Sequence, residues 1–384
     1  MITRQLLRER VETALRRSRV VALLGPRQCG KTTLARGCIE GREATFFDLE
    51  NSVDLAKLGL PHQVLGSLGG LVVLDEIQLR PDLLPVLRVL SDRNPLPAKF
   101  LLLGSASPDL VRGAAESLAG RIEFVDVSGF SLEDVGAAER DRLWVRGGFP
   151  LAFLAASDAD SLAWRGNFTR TFLERDLARF GMGAAPLAAI RRLWQMIAHH
   201  HGGVWNASEF GRSLGESAPS VRRHLEVLSG AFVVRLLPPW FENMGKRLVR
   251  HPKVYVRDSG LFHGLLGLAT LDDLRGHPKC GASWEGFAIE QILAISGSTQ
   301  AFFWATHGGA ELDLLLVRGN RRRGFEFKYT ETPGTTKSMH SALHDLKLDE
   351  LTVVYPGQAS FPLGERIHAR PLEEVLRLEG EAGR

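Results

Sequence analysis

"VVALLGPRQCGKT", Val20 to Thr32, decides how the first third of the chain folds. Val20 to Gly25 is a continuous apolar run with no polar alternation, the mark of a strand buried on both faces. Gly25 to Thr32 matches G-x-x-x-x-G-K-[ST], and a helical pattern follows. Strand, loop and helix in that order form the context that a phosphate-binding loop requires. Gly25 and Gly30 let backbone amides turn inward, and the helix N-terminus adds its positive end. Lys31 is then expected to reach the β and γ phosphates of ATP and the Thr32 hydroxyl to ligate Mg2+, with Pro26, Arg27, Gln28, Cys29 and Thr33 completing the nucleotide contacts.

Outward from this loop, "LVVLDE" (Leu71 to Glu76) and "KFLLLGSAS" (Lys99 to Ser107) repeat the buried-strand character, with helical patterns between them. Such alternation predicts an α/β domain with a parallel sheet between helical layers. Asp75 and Glu76 close the second of these strands. The pair suits a nucleotide hydrolase, with Asp75 holding the metal through water and Glu76 polarising the attacking water. An exposed strand end is the plain alternative. Ser105, at the end of the third strand, is placed to hydrogen-bond the γ phosphate or that water. Arg121, in "SLAGRIEF", is either the arginine that stabilises transition-state charge, in cis or from a neighbouring copy of a homo-oligomer, or a surface ion pair.

The chain has 384 residues, 44% of them apolar, enough for two or three cores. A formal charge of +4 is a mild basic bias, compatible with DNA or another nucleic acid without requiring it. Three scattered cysteines, Cys29, Cys38 and Cys280, lack the spacing of a disulfide framework or a zinc site. They fit a reducing cytoplasm. The N-terminus has no signal-peptide core, and no apolar run approaches a membrane span, so no membrane partner is expected.

Composition and periodicity divide the chain into residues 1–130, a helical linker 131–184, a segment 185–273 and a C-terminal α/β unit 274–384. In "NASEFGRSLGESAPSVRRHLEVLSGAFVVRLL", two short helices and a strand predict a winged helix-turn-helix. Arg222, Arg223 and His224 on its second helix, with Lys246, Arg247, Arg250 and Lys253 in or after the wing, are candidates for phosphate contacts. A protein-protein adaptor with a solvated charged face is the alternative. His199, His200 and His201 are consecutive and make a poor metal cluster.

Near the C-terminus, "AELDLLLVRGNRRRGFEFKYT" (Ala310 to Thr330) reads as two strands around a Gly-Asn turn. Asp313 lies on the first. Glu326 and Lys328 share a face of the second because strand side chains alternate. In nucleases of the PD-(D/E)XK type such acids meet at a metal ion and the lysine activates water. "GASWEGFAIEQIL" upstream adds Glu285 as a helix-borne acid, with Glu290 second to it. The predicted site therefore holds a second Mg2+ or Mn2+ on Glu285, Asp313 and Glu326, with Lys328 catalytic and Arg321, Arg322 and Arg323 lending positive charge. A harmless salt-bridged hairpin is the competing reading.

"GPRQCGKTTL", "LVVLDEIQ", "LLGSAS" and "LAGR", followed by "FLERDLARFG" and "NMGKRLVRHPKVYVRDSGL", together resemble a large group of prokaryotic AAA+ ATPases with an uncharacterised C-terminal region. The resemblance spans nearly the whole chain. It implies an AAA+ core that binds and hydrolyses ATP, a winged-helix segment and a restriction-endonuclease-like tail. Cys29 departs from the small aliphatic residue usual in that group.

Overall fold

The computed structural model describes residues 2–105, 113–114, 116–176, 187–242, 248–297 and 300–383. The chain divides into two compact units, residues 1–130 with 230–232, and the remainder.

The first unit is built on five parallel strands in the order β2-β3-β4-β1-β5: β1 (Val20–Gly25), β2 (Ala44–Asp48), β3 (Gly70–Asp75), β4 (Ala98–Ser105) and β5 (Ile122–Asp126). β1 is buried along its whole length, as a central strand between helical layers must be. The helix Gln5–Arg17 buries Leu7, Val11, Ala14 and Leu15, one stripe at the helical period. The helix Leu83–Ser91 buries Leu83, Leu84, Leu87 and Leu90 in the core around β3 and β4. All five strands run the same way, so the loops after β1 and β3 emerge at one edge.

The second unit holds two sheets. A small antiparallel sheet of order β6-β8-β7, from β6 (Gly203–Val204), β7 (Val234–Leu237) and β8 (Lys253–Val256), accompanies the helices Leu187–His199, Ala207–Leu214 and Ala218–Gly230. Asn206 caps the second helix, accepting from the backbone of Ser208 and Glu209.

The six-stranded sheet has the order β13-β14-β12-β11-β10-β9, from β9 (Gln300–Ala305), β10 (Glu311–Arg318), β11 (Arg321–Phe327), β12 (Glu350–Tyr355), β13 (Phe361–Gly364) and β14 (Ile367–Pro371). β9, β10 and β11 form an antiparallel meander, and β12 joins β11 in parallel after the helix Lys337–Asp345. That helix packs Met339, Ala342 and Leu343 among Leu312, Leu315 and Val353. The helix Cys280–Ser296 precedes the meander. Among the described residues, no helix is long and apolar enough to cross a membrane.

Candidate functional site

In the first unit, β1 ends at Gly25 and the helix Lys31–Ile39 begins directly after the loop. Gly25 has no alternative: a Cβ there would stand 1.9 Å from the carbonyl oxygen of Val127. Gly30 sits at φ 96°, a left-handed backbone that favours glycine. Gln28 also has positive φ, 61°, and so does Glu76, 58°. Such conformations are uncommon for residues with a side chain, and both stand where the sequence predicts phosphate chemistry.

The Lys31 side chain is buried, its ammonium donating to the carbonyls of Gly25 (3.0 Å) and Pro26 (2.8 Å). The Thr32 hydroxyl donates to Asp75 Oδ2 at 2.7 Å, although the two are 43 residues apart. Asp75 is buried at the end of β3, and burial raises its pKa, opposed by the hydrogen bond from Thr32. Glu76 accepts from the Gln78 amide, and Arg27 lies between Glu50 (3.1 Å) and Glu76 (3.7 Å). A hydroxyl and a carboxylate meeting beside a buried lysine are the oxygen donors that a hard cation such as Mg2+ prefers, so these residues fit the ion. Thr33 is exposed.

Two further residues hold the loop. The Cys29 thiol is buried, its Sγ 3.3 Å from the Val127 carbonyl oxygen, and it packs as a small hydrophobe. Arg4 donates to the carbonyls of Cys29 (3.3 Å), Ser128 (2.9 Å) and Gly129 (2.7 Å). Sequence reading missed Arg4, because nothing local marks an arginine whose partners lie up to 125 positions away.

Ser105 stands beside Gly25 in the β4–β1 register, at the same sheet edge. Its side chain lies outside the described residues. Arg121 is not brought to the loop. It precedes Ile122, which pairs with Val20, so it belongs to the opposite edge, about five residues or roughly 17 Å of strand from Gly25. There it forks onto Asp92 at 2.6 and 2.8 Å. Of the alternatives left open for Arg121, this is the surface ion pair, and the strand register disfavours the cis role.

In the second unit the hairpin brings its acids together. Leu314 pairs with Phe325, which sets Asp313 opposite Glu326, and a register shift between Leu312 and Leu315 against β9 bends β10 at that point. Asp313 and Glu326 are buried, and Lys328 lies 3.0 Å from Glu326 Oε2. Glu285 comes from the helix Cys280–Ser296, whose first turn is fixed by a buried relay. The Trp144 indole donates to Ser283 Oγ (2.9 Å), and His263 takes Ser283 on Nε2 (2.7 Å) and the Val145 carbonyl on Nδ1 (2.9 Å). A carbonyl can only accept, so Nδ1 carries the proton and Ser283 donates to Nε2. Burial keeps this imidazole neutral, with its pKa pushed down to about 3. Gly286, next to Glu285, faces His201, whose Nε2 would lie 2.2 Å from any Cβ there.

Lys253, which follows the segment read as a wing, is the residue sequence reading placed wrongly. It is 3% exposed, and its ammonium lies 3.3 Å from Glu285 Oε1, 3.3 Å from Asp313 Oδ1 and 2.5 Å from Glu311 Oε1. Tyr255, two positions on and therefore on the same strand face, donates to Glu285 Oε1 at 2.7 Å. The Phe327 amide donates to Asp313 Oδ2 at 3.1 Å. Burial and then the Asp313 charge push Glu285 up to about 7 and Glu326 up to about 8. Burial alone would lower the pKa of Lys253, but the surrounding acids outweigh it and hold the ammonium charged.

Among the described residues, no group of three His, Cys, Asp or Glu side chains is arranged to hold a metal ion. The predicted set Glu285, Asp313 and Glu326 converges, but on lysines: Lys253 takes Glu285 and Asp313, and Lys328 takes Glu326. The residues as arranged do not fit the ion.

Other basic candidates change role as well. His224 is buried and paired with Glu216 at 2.9 Å, because it falls on the inner face with Val221, Leu225 and Leu228, whereas Arg222 and Arg223 are exposed. Lys246 and Arg247 lie outside the described residues. Arg250 is exposed. Arg322 is engaged by Glu242 (2.7 Å) and Arg323 by Glu379, so neither lends free charge to the acids. Glu290 is bound by Arg235 and Arg257 and serves as an ion-pair centre.

Residues 17–136 match the family model "AAA domain". Residues 138–272 and 280–375 match two models each described as a domain of unknown function. Uncharacterised proteins of Mycobacterium tuberculosis and Mycobacterium bovis are each 50% identical to the chain over 376 residues, covering 98% of it and 85% of the relative. Among solved structures, the Walker-type ATPase of Pyrococcus abyssi is similar with a TM-score of 0.52 and 16% identity, over 69% of this chain and 96% of that one. That likeness is one of fold.

Proposed function

The chain belongs to the family of these mycobacterial proteins, and from that premise and its own AAA-domain match we propose that it is a Mg2+-dependent ATPase whose nucleotide state governs its C-terminal unit. The observation that carries this reading is the 2.7 Å contact between Thr32 and Asp75 beside the buried Lys31. In this reading Lys31 gives up its loop carbonyls to the β and γ phosphates, and Thr32 and Asp75 hold the ion, Asp75 through water. Mg2+ supplies charge stabilisation on the phosphates when bound. Glu76 turns from Gln78 to orient the attacking water, with Ser105 as its second partner. Arg121 contributes only from a neighbouring copy. Three buried free cysteines are consistent with a cytoplasmic setting.

For the second unit, the three helices with the β6-β8-β7 sheet are read as a winged helix. Asp313, Glu326, Lys328 and Glu285 are read as an endonuclease-like constellation acting on nucleic acid. A second reading, a binding module that recruits without cutting, is favoured by Lys253 on Asp313 and Glu285 and by Arg222 and Arg223 as outward cations.

Lys31→Ala tests the first reading: ATP binding and turnover are expected to be lost, and normal turnover overturns it. DNA cleavage with Mn2+ and ATP that disappears in Asp313→Ala supports the nuclease reading of the tail. Salt-sensitive DNA binding without cutting, weakened by Arg222→Ala and Arg223→Ala, supports the second.

A further inference from the structure

We infer that Lys253 is the resident cation of the Glu285–Asp313 cluster, occupying as a tethered ammonium the position a divalent ion would take and so excluding that ion. The inference rests on the endonuclease-like reading of this tail only for the identity of the excluded ion.

Four carboxyl groups, Glu285, Glu311, Asp313 and Glu326, face two ammonium groups, Lys253 and Lys328. Asp313 and Glu326 are buried and Glu285 nearly so, with Glu311 at the exposed rim, and because an unpaired buried charge is far more costly than a paired one the inner acids call for a cation. Lys253 meets the need at three acids with a single atom. A lysine tolerates nearly complete burial only where such partners surround it, which is why this strand can open on a charge between apolar neighbours. Glu285 Oε1 and Asp313 Oδ1 already accept from Lys253 at 3.3 Å, and a divalent ion brought onto the same acids would be repelled by its ammonium charge.

Lys253 is held there by the sheet that carries the acids. Before β8, backbone groups on either side pair with the edge strand β9: the Trp240 amide donates to the Phe303 carbonyl (2.7 Å), the Phe303 amide to Pro238 (3.0 Å) and the Val249 amide to Ala305 (3.0 Å).

The test is Mn2+ titration of the full chain, read from the loss of the free-ion paramagnetic resonance signal, in an Asp75→Asn background that removes the phosphate-loop ion site. Lys253→Met is expected to gain an Mn2+ site at least about tenfold tighter than the same chain with Lys253, and Lys253→Met with Asp313→Asn to lose it again. Lys253→Arg, which keeps the charge, is expected to gain nothing. Mn2+ binding that is unchanged by Lys253→Met, or an Asp313-dependent site already present beside Lys253, overturns the inference. If Lys253→Met fails to fold in metal-free buffer, Mn2+ is expected to restore its folding, and failure to do so also overturns it. ATP turnover with Asp75 restored, and DNA cleavage, report on the two readings above and do not enter this titration.

Discussion

Thr32 Oγ1 and Asp75 Oδ2 meet at 2.7 Å across 43 residues, joining the helix after β1 to the end of β3. Because Asp75 is buried, its carboxylate is oriented before any ligand arrives, and such preorganisation is what electrostatic stabilisation depends on. Asp75→Asn and Thr32→Val are expected to lower ATP turnover by roughly a hundredfold or more while leaving part of the nucleotide affinity. Glu76→Gln should bind ATP and not turn it over. Single-turnover measurements separate these outcomes, and a Glu76→Gln protein that hydrolyses normally removes Glu76 from the mechanism.

Arg4 acts through the loop proposed to bind nucleotide. Its loss removes a charged donor from the part-buried carbonyls of Cys29, Ser128 and Gly129, at a cost of about 1 kcal/mol, below the penalty for fully buried acceptors. Arg4→Ala is therefore expected to raise KM for ATP more than it lowers kcat, with a lower melting temperature in the absence of nucleotide. A pure kcat defect would contradict this positioning role.

Arg121 pairs with Asp92 at the sheet edge opposite the loop. For a dilute, monomeric chain, Arg121→Ala should leave ATP turnover unchanged. If the residue acts from a neighbouring copy, the defect will appear only at concentrations where wild-type turnover per chain rises. A defect independent of concentration would mean that Arg121 reaches the phosphates within one chain, contrary to the strand register.

Acid should weaken the second unit in a defined window. Burial holds His201 and His263 neutral, each with a pKa pushed down to about 3 from an ordinary 6.5, so they favour the fold above the ordinary value and lose that contribution as pH falls toward 3. Glu290, where burial is outweighed by Arg235 and Arg257, is lowered and loses its contribution below the ordinary Glu value. Glu285 and Glu326 are raised to about 7 and about 8 and act in the opposite sense, favouring the fold as pH falls from there to 4.5. The two trends oppose each other down to about 4.5; below it only Asp258, raised from 3.8 by burial, still acts with the acids, and the loss dominates. Denaturant midpoints followed by the buried Trp144, Trp194, Trp284 and Trp304 should fall steeply between about pH 4.5 and 3. A flat profile there would show that the two histidines are not kept neutral.

The phosphate loop was legible in the sequence because its chemistry is local. Gly25, Gly30, Lys31 and Thr32 lie within eight positions, and a buried strand on one side with a helix on the other fixes their geometry. The hairpin was legible to the same extent: strand alternation brings Glu326 and Lys328 to one side, and a turn brings Asp313 opposite. Beyond that range, residue type gave no distance. Arg121 carries the right charge, but strand direction takes it to the wrong edge. His224 and Lys253 look like surface cations, yet helical phase buries the first and sheet pairing carries the second into the acids. Only the tertiary structure could decide whether the Glu285–Asp313 cluster meets a metal ion or a lysine, because burial prevents the acids from standing alone, and which cation satisfies them depends on a strand some 60 residues before Asp313.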